Sequence, residues 1–97
     1  MKILALEKDL PYPEGKEPGP AVLEQEARRA WELQQSDQIR ELYFRADKDA
    51  AVLVLECDSI EQANRILATL PLVREQFIEF ELIPLTAYPG FERLFKA

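Results

Sequence analysis

The 97-residue sequence contains no histidine and only one cysteine, Cys57. Without histidine, one copy of the chain cannot form a Ser-His-Asp or Cys-His nucleophile system. A zinc ion would have to be held by one cysteine and carboxylates, which is an improbable ligand set, so no metal site is expected. A single cysteine also excludes an internal disulfide. Acid–base chemistry near neutral pH is therefore left to carboxylates, tyrosine, lysine or Cys57 with shifted pKa values.

Long apolar runs and an excess of positive charge are also missing. No run approaches the roughly 18 apolar residues that cross a bilayer, and the stretch from Ile3 to Leu6 is too short for a signal-peptide core. The formal net charge is −6, with both signs interspersed, which argues against nucleic acid or an anionic membrane as a partner. We therefore expect a cytoplasmic protein that binds neither, with one domain over residues 1–97.

The remaining pattern alternates between strand-like and helix-like segments in the order β-α-β-β-α-β. With right-handed crossovers, this order predicts an α+β, ferredoxin-like fold, in which a four-stranded antiparallel sheet carries two helices on one face. The predicted strands are Lys2 to Lys8, Ile39 to Arg45, Ala50 to Cys57 and Phe77 to Leu85, and the predicted helices are Ala21 to Gln35 and a second that runs from Asp58 or Ser59 to Pro71.

Four local predictions complete the predicted fold. The segment from Asp9 to Pro20 holds four of the seven prolines and two of the three glycines, so it is a loop that either covers another part of the chain or is mobile. Ser59 with Gln62, or Asp58 with Glu61, has the spacing of a capping box. Residues 72–76 are predicted to form a turn, and the aromatic tail that begins at residue 88 is predicted to lack regular structure.

Alternation along the strands divides their side chains between two faces of the sheet. A uniformly apolar set is placed under the helices, and a set of mixed character is placed on the open face. An open face of this kind is a larger apolar patch than monomers usually expose, so we expect a homodimer in which two sheets face each other and enclose a pocket. The first set is Leu4, Leu6, Leu42, Phe44, Leu53, Leu55, Phe80 and Leu82; the second is Ile3, Ala5, Glu7, Glu41, Tyr43, Arg45, Val52, Val54, Glu56, Glu79, Glu81 and Ile83.

Several blocks in the second half of the chain resemble the muconolactone isomerase family. Their spacing also resembles that of the family, and the resemblance covers about residues 38–85. The blocks are Ser59-Ile60-Glu61, Leu70-Pro71-Leu72 and Phe77-Ile78-Glu79-Phe80, together with Arg40, Leu42 and Tyr43.

The resemblance implies a dimeric α+β barrel that assembles further into a ring-like oligomer. It also implies a cofactor-free proton shift that moves a double bond in a small unsaturated acid or lactone. The family has a histidine where this chain has Glu41, and this departure favours a second interpretation, a non-catalytic barrel that binds a small metabolite or acts as an assembly module. A third interpretation, cofactor-free oxygenation of an aromatic compound, fits the fold but has no support from specific residues.

Glu56 and Glu41 are the candidate catalytic residues. The alternation directs Glu56 into the expected pocket, where desolvation would raise its pKa and suit it to carry a proton. The alternative is a strand-end carboxylate paired with Arg45 or Lys8. Glu41 occupies the position of the family's histidine, and its alternative role is a solvated charge on an edge strand.

Four further residues are candidates for ligand binding. Tyr43 and Arg45 are suited to a ligand that carries a carboxylate, because the planar guanidinium matches two oxygens; alternatively, Arg45 pairs with Glu56 or Glu7 while Tyr43 packs. Glu7 and Glu81 are predicted to share the cavity, where crowding would raise one pKa, or else to line its wet rim. Cys57, beside the start of a helix, is either a partly stabilised thiolate or a buried thiol.

Overall fold

One antiparallel sheet organises the computed structural model of the protein, which describes residues 1–96. The strand order is β2-β3-β1-β4, and each pair of neighbouring strands is antiparallel. This arrangement confirms the predicted ferredoxin-like fold, with β1 and β3 in the centre. The strands are β1, Lys2–Asp9; β2, Ile39–Phe44; β3, Ala51–Glu56; and β4, Ile78–Leu85.

Local sequence signals set the helix boundaries. Helix α1 spans Pro20–Gln35, and its first residue is a proline, whose missing amide is not needed there. Helix α2 spans Ile60–Leu67. The amide of Gln62 donates to Oγ of Ser59 at 3.0 Å, which confirms the predicted cap. Within residues 1–96, no helix has the length and apolar character that crossing a bilayer requires.

Two short helices replace segments that were predicted to be irregular. Helix α3 spans Pro71–Arg74, and a 3₁₀ helix spans Pro89–Leu94. Both begin with a proline at their first position. Pro71, which was predicted only to end a helix, therefore starts a new one, and Pro89 starts a helical turn in the tail. The predictions of a turn at 72–76 and of a tail without regular structure were therefore wrong in part.

The core lies between the sheet and the helices. Residues from both central strands and from α1 and α2 belong to one buried cluster, so both long helices cover the same face of the sheet. These side chains are at most 3% exposed, and they are Ile3, Ala5, Leu33, Leu53, Leu55, Ala63 and Leu67.

The faces predicted for β1 were wrong by one residue. Ile3 pairs with Leu55 and Ala5 pairs with Leu53, so Ile3 and Ala5 lie under the helices. Leu4 and Leu6 consequently lie on the open face, because adjacent strand residues point to opposite sides. Residues 3–6 are all apolar, so alternation could not distinguish the two faces. The correction moves Glu7 to the helix side.

The cap of α2 gives a stability prediction. Replacing Ser59 by alanine removes the acceptor of the Gln62 amide and is expected to cost about 1 kcal/mol, which lowers the thermal midpoint by roughly 4–8 °C for a domain of this size. Ser59→Thr keeps the oxygen and should retain most of the stability. Thermal unfolding followed by circular dichroism measures both, and equal midpoints for the alanine variant and the wild type would contradict the role of the cap.

Candidate functional site

The main cavity lies between α1 and one end of the sheet, with a volume of about 390 Å³. The ends of β1 and β2 and the beginnings of β3 and β4 form its floor, and α1 forms a wall. Its lining is mostly apolar and contains two carboxyl groups, those of Glu7 and Glu26. The lining residues are Glu7, Leu23, Glu26, Ala27, Ala30, Leu42, Tyr43, Phe44, Ala51, Leu53, Leu70, Leu72, Ile78 and Phe80.

Glu7 approaches the cavity from the sheet. It follows Ile3 and Ala5 on the inner face of β1, and the amide of Ala51 on β3 donates to its Oε1 at 3.0 Å. Burial raises the pKa of Glu7 above its ordinary value; the Ala51 amide opposes this, and the nearby carboxylates of Asp9 and Glu26 add to the rise. A partly desolvated acid that can hold a proton therefore forms part of the cavity floor.

Glu26 approaches the cavity from α1. It lies one helical turn before Ala30 and two turns before the buried Leu33, which places it on the inner side of the helix. The amide of Leu72 in α3 donates to its Oε1 at 2.8 Å. Burial raises the pKa of Glu26, although the Leu72 amide and the charge of Arg74 act in the opposite direction.

The two carboxyl groups therefore belong to one apolar cavity, one on the sheet and one on the helix. A backbone amide holds each of them in place. A carboxyl group whose pKa is raised holds its proton to higher pH than an ordinary glutamate, which suits it to acid–base chemistry. The cavity thus holds two carboxyl groups of this kind in a chain without histidine.

Glu56 lies on the open face of the sheet, away from this cavity. The terminal amino group of Met1 donates to Oε2 of Glu56 at 2.7 Å. This hydrogen bond lowers the pKa of Glu56, so the raised pKa predicted for it was wrong. The predicted alternative partners, Arg45 and Lys8, were also wrong.

Polar side chains around the end of β2 form hydrogen bonds with each other on the surface. Two nitrogens of the Arg45 guanidinium, Nε and Nη2, donate to the carboxylate of Asp47 at 2.8 and 2.5 Å. Arg45 does not line the cavity. The hydroxyl of Tyr43 donates to Oε1 of Glu41 at 2.9 Å, and both side chains are exposed. Tyr43 also borders the cavity mouth. The proposed pairing of Arg45 with Glu56 or Glu7 does not occur.

Glu81 and Glu7 do not share a cavity, which corrects the prediction. Glu81 lies on the open face and pairs with Lys8 at 3.4 Å, whereas Glu7 lies on the helix side. Of the predicted site residues, the cavity includes Glu7 and Tyr43. The roles assigned to Glu56, Glu41, Arg45 and Glu81 stay predictions. Cys57 is 4% exposed, and burial raises its pKa, which favours the neutral thiol.

Glu26 is the site residue that the sequence analysis missed. Its spacing of four residues from Ala30 and seven from Leu33 was a usable signal, because residues at these intervals share one side of a helix. Trp31 lies outside this side of the helix and is 62% exposed. The stripe of α1 that faces the sheet therefore runs through Glu26, Ala30 and Leu33.

The chain was compared with known protein sequences and structures. The chain gives no significant match to an individual curated protein sequence. A crystal structure of muconolactone isomerase is similar, with 25% sequence identity, a TM-score of 0.75 and 93% of each chain covered. A 5-chloro-2-hydroxyhydroquinone dehydrochlorinase from Burkholderia phenoliruptrix AC1100, solved with 2,5-dihydroxybenzoquinone, shares the fold at 16% identity and a TM-score of 0.59, with 93% of this chain and 98% of that chain covered.

The family comparison covers most of the chain. The sequence profile named muconolactone delta-isomerase matches residues 6–90. This range includes the whole of the cavity lining, from Glu7 to Phe80. The chain therefore belongs to the muconolactone delta-isomerase family.

Proposed function

We propose that the protein is a cofactor-free isomerase that shifts a proton in a small unsaturated acid or lactone, in the cavity between Glu7 and Glu26. The observation that carries the proposal is the presence of two carboxyl groups with raised pKa values on the floor and wall of one apolar cavity. Membership of the muconolactone delta-isomerase family supports this class of reaction.

The surroundings of the two carboxyl groups suggest which one takes the proton and which one returns it. The charge of Arg74 acts on Glu26 and favours its ionised form, whereas the charges of Asp9 and Glu26 favour the protonated form of Glu7. We therefore assign Glu26 as the base and Glu7 as the acid.

In this scheme, the Glu26 carboxylate takes a proton from carbon, and the electron pair of the broken C–H bond passes into the conjugated system as a dienolate. The Glu7 carboxyl then gives its proton to the carbon at the other end of that system. The double bond has moved, Glu26 is protonated and Glu7 is ionised. Proton exchange with water restores the starting state.

We also propose that the protein forms a homodimer through the open face of the sheet. Strands β1, β3 and β4 place apolar side chains there, and in one copy these have no helix above them. Pairing two such faces would remove this surface from water, which is the main driving force for association of this kind. The residues concerned are Leu4, Leu6, Val52, Val54 and Ile83.

The first prediction concerns the two carboxyl groups. Glu26→Gln and Glu7→Gln keep an oxygen that can accept the backbone amide but remove acid–base capacity. Each is expected to lower the rate of isomerisation about 100-fold or more. Proton exchange at carbon, measured by NMR in D₂O with a panel of unsaturated lactones and acids, reports the reaction.

Glu79→Gln is the matched control, because Glu79 is an exposed carboxylate on β4 and its loss should leave the rate unchanged. Full activity in both cavity variants would contradict the assignment. Binding of a panel compound by the wild type without any proton exchange would instead support a cavity that binds a metabolite without reaction.

The second prediction concerns stability against pH. Because the pKa values of Glu7 and Glu26 are raised above the ordinary 4.5, the folded state binds more protons than the unfolded state just above that pH, so these groups lower stability as pH rises through their folded pKa values. In urea unfolding, Glu7→Gln/Glu26→Gln should gain stability relative to the wild type from pH 4.5 upward. A difference that is independent of pH, or that matches Glu79→Gln, would contradict the raised pKa values.

The third prediction concerns the dimer. Leu6→Lys introduces a charge into the centre of the open face and should convert the dimer into monomers, because burying an unpaired charge is costly. Sedimentation velocity measures the change. Asn64→Lys, on the exposed side of α2, is the control and should remain dimeric. An unchanged sedimentation coefficient for Leu6→Lys would show that the open face is not the interface.

A further inference from the structure

Glu7 borders two further cavities as well as the main one, and we call these two the side cavities. The larger, of about 250 Å³, shares Glu7, Leu72 and Ile78 with the main cavity. The smaller, of about 140 Å³, lies beside the turn between β2 and β3 and also includes Glu7. Glu26 lines the main cavity and neither of the side cavities. The side cavities therefore reach the proposed acid but not the proposed base.

Asp9 lies beside Glu7 in both side cavities. It is two residues further along β1, so its side chain points to the same face of the sheet. Asp9 is exposed to water. Its side chain lies within hydrogen-bonding reach of the Glu7 carboxyl, and both this contact and the charge of Asp9 favour the protonated form of Glu7. Asp9 therefore stands between a partly buried acid and the surrounding water.

Contacts with the start of β4 hold the backbone around Asp9 in place. Asp9 pairs with Ile78 in the sheet, and the amide of the next residue, Leu10, donates to the carbonyl oxygen of Phe77 at 3.0 Å. The Tyr12 ring contacts the Phe77 ring edge to face, with centroids 5.2 Å apart, and both rings line the larger side cavity. The proline-rich segment thus covers another part of the chain, which was one of its two predicted roles.

The proposed isomerisation leaves Glu7 ionised and Glu26 protonated, so both groups must be reset before the next turnover. A ligand in the main cavity excludes water there, whereas the side cavities keep Glu7 connected to the exposed Asp9. A relay must accept a proton and then donate it, and a carboxyl group does both. The ammonium groups of Lys8 and Lys48, which also line the smaller side cavity, have no acceptor.

We propose that Asp9 is a proton relay that returns a proton from water to Glu7 after each turnover. A hydronium ion or a buffer acid gives a proton to the Asp9 carboxylate, and the Asp9 carboxyl then donates a proton to the Glu7 carboxylate. Glu26 releases to water the proton that it took from carbon, so one proton enters and one leaves. Asp9 acts through Glu7 and does not touch the substrate. The relay rests on the proposed isomerase function.

The kinetics of Asp9→Asn test the relay, because asparagine keeps the size of the side chain but cannot carry a proton. In dilute buffer, kcat for a compound that the wild type isomerises is expected to fall about tenfold, less than after loss of the acid itself. The ratio kcat/KM should fall less than kcat, since the reset follows product release. Added imidazole, a small proton carrier near neutral pH, should restore kcat, and Asp9→Glu should retain most of it.

Asp49→Asn is the matched control, because Asp49 is exposed and lines the same two side cavities from the β2–β3 turn. This variant should have the wild-type kcat at every imidazole concentration. A wild-type kcat in Asp9→Asn, or a loss that imidazole does not restore, would overturn the relay alone. Absence of isomerisation by the wild type would instead refute the proposed function, and the relay with it.

A titration without substrate tests the contact on which the relay depends. NMR of the carboxyl carbon of Glu7 follows the ionisation of this group directly. Asp9→Asn should lower the pKa of Glu7, because the hydrogen bond and the charge of Asp9 both raise it, whereas Asp49→Asn should leave it unchanged. An unchanged pKa of Glu7 in Asp9→Asn would show that the two carboxyl groups are not in contact. That result would overturn the relay whether or not the protein is an isomerase.

Discussion

The register of β1 between β3 and β4 determines which carboxylate enters the cavity. Ile3 and Ala5 are fully buried beneath the helices, and a strand that buries these two residues must point Glu7 to the same side. A register shifted by one residue would bury Lys8 instead. Glu7 is accommodated because the Ala51 amide on the neighbouring strand compensates part of its desolvation, and Lys8 could not accept that hydrogen bond. The pairing of the central strands thus selects an acid for the cavity floor.

The opposite wall depends on a comparable polar contact within an otherwise apolar region. Glu26 accepts the first amide of α3, that of Leu72, which has no helical partner at that position. The same hydrogen bond satisfies a helix terminus, joins α1 to α3 and holds a carboxyl group toward the cavity. Loss of the amide contact would therefore disturb the wall and the chemistry together.

The sequence predicted the parts of the structure that repeat a local pattern. The order of the elements, the faces of β2, β3 and β4 and the cap at Ser59 were all correct, because each depends on alternation or on a short capping signal. The faces of β1 could not be read, since the run from Ile3 to Leu6 is apolar at every position. A central strand often has this composition, because both of its faces can be covered.

The errors in the site followed from the expectation that two sheets would enclose the cavity on the open face. Glu56 was chosen because alternation directs it to that face, which is correct, but the cavity lies on the helix side, and the error in β1 placed Glu7 on the wrong face as well. Glu26 was overlooked because a glutamate on a helix is usually solvated. Its spacing from Ala30 and Leu33 indicates the inner side of α1, but its hydrogen bond with the Leu72 amide is a tertiary contact that the sequence pattern does not encode.

Desolvation connects the shape of the cavity with its proposed chemistry. The pKa values of Glu7 and Glu26 are raised mainly by burial, yet apolar side chains that line the cavity remain partly exposed, with Leu23 48% and Phe44 64% exposed. An apolar group that covered these side chains would remove water from both carboxyl groups and raise their pKa values further, since burial disfavours the charged form. In a chain without histidine, exclusion of water is therefore the means by which this cavity suits a carboxylic acid to acid–base work.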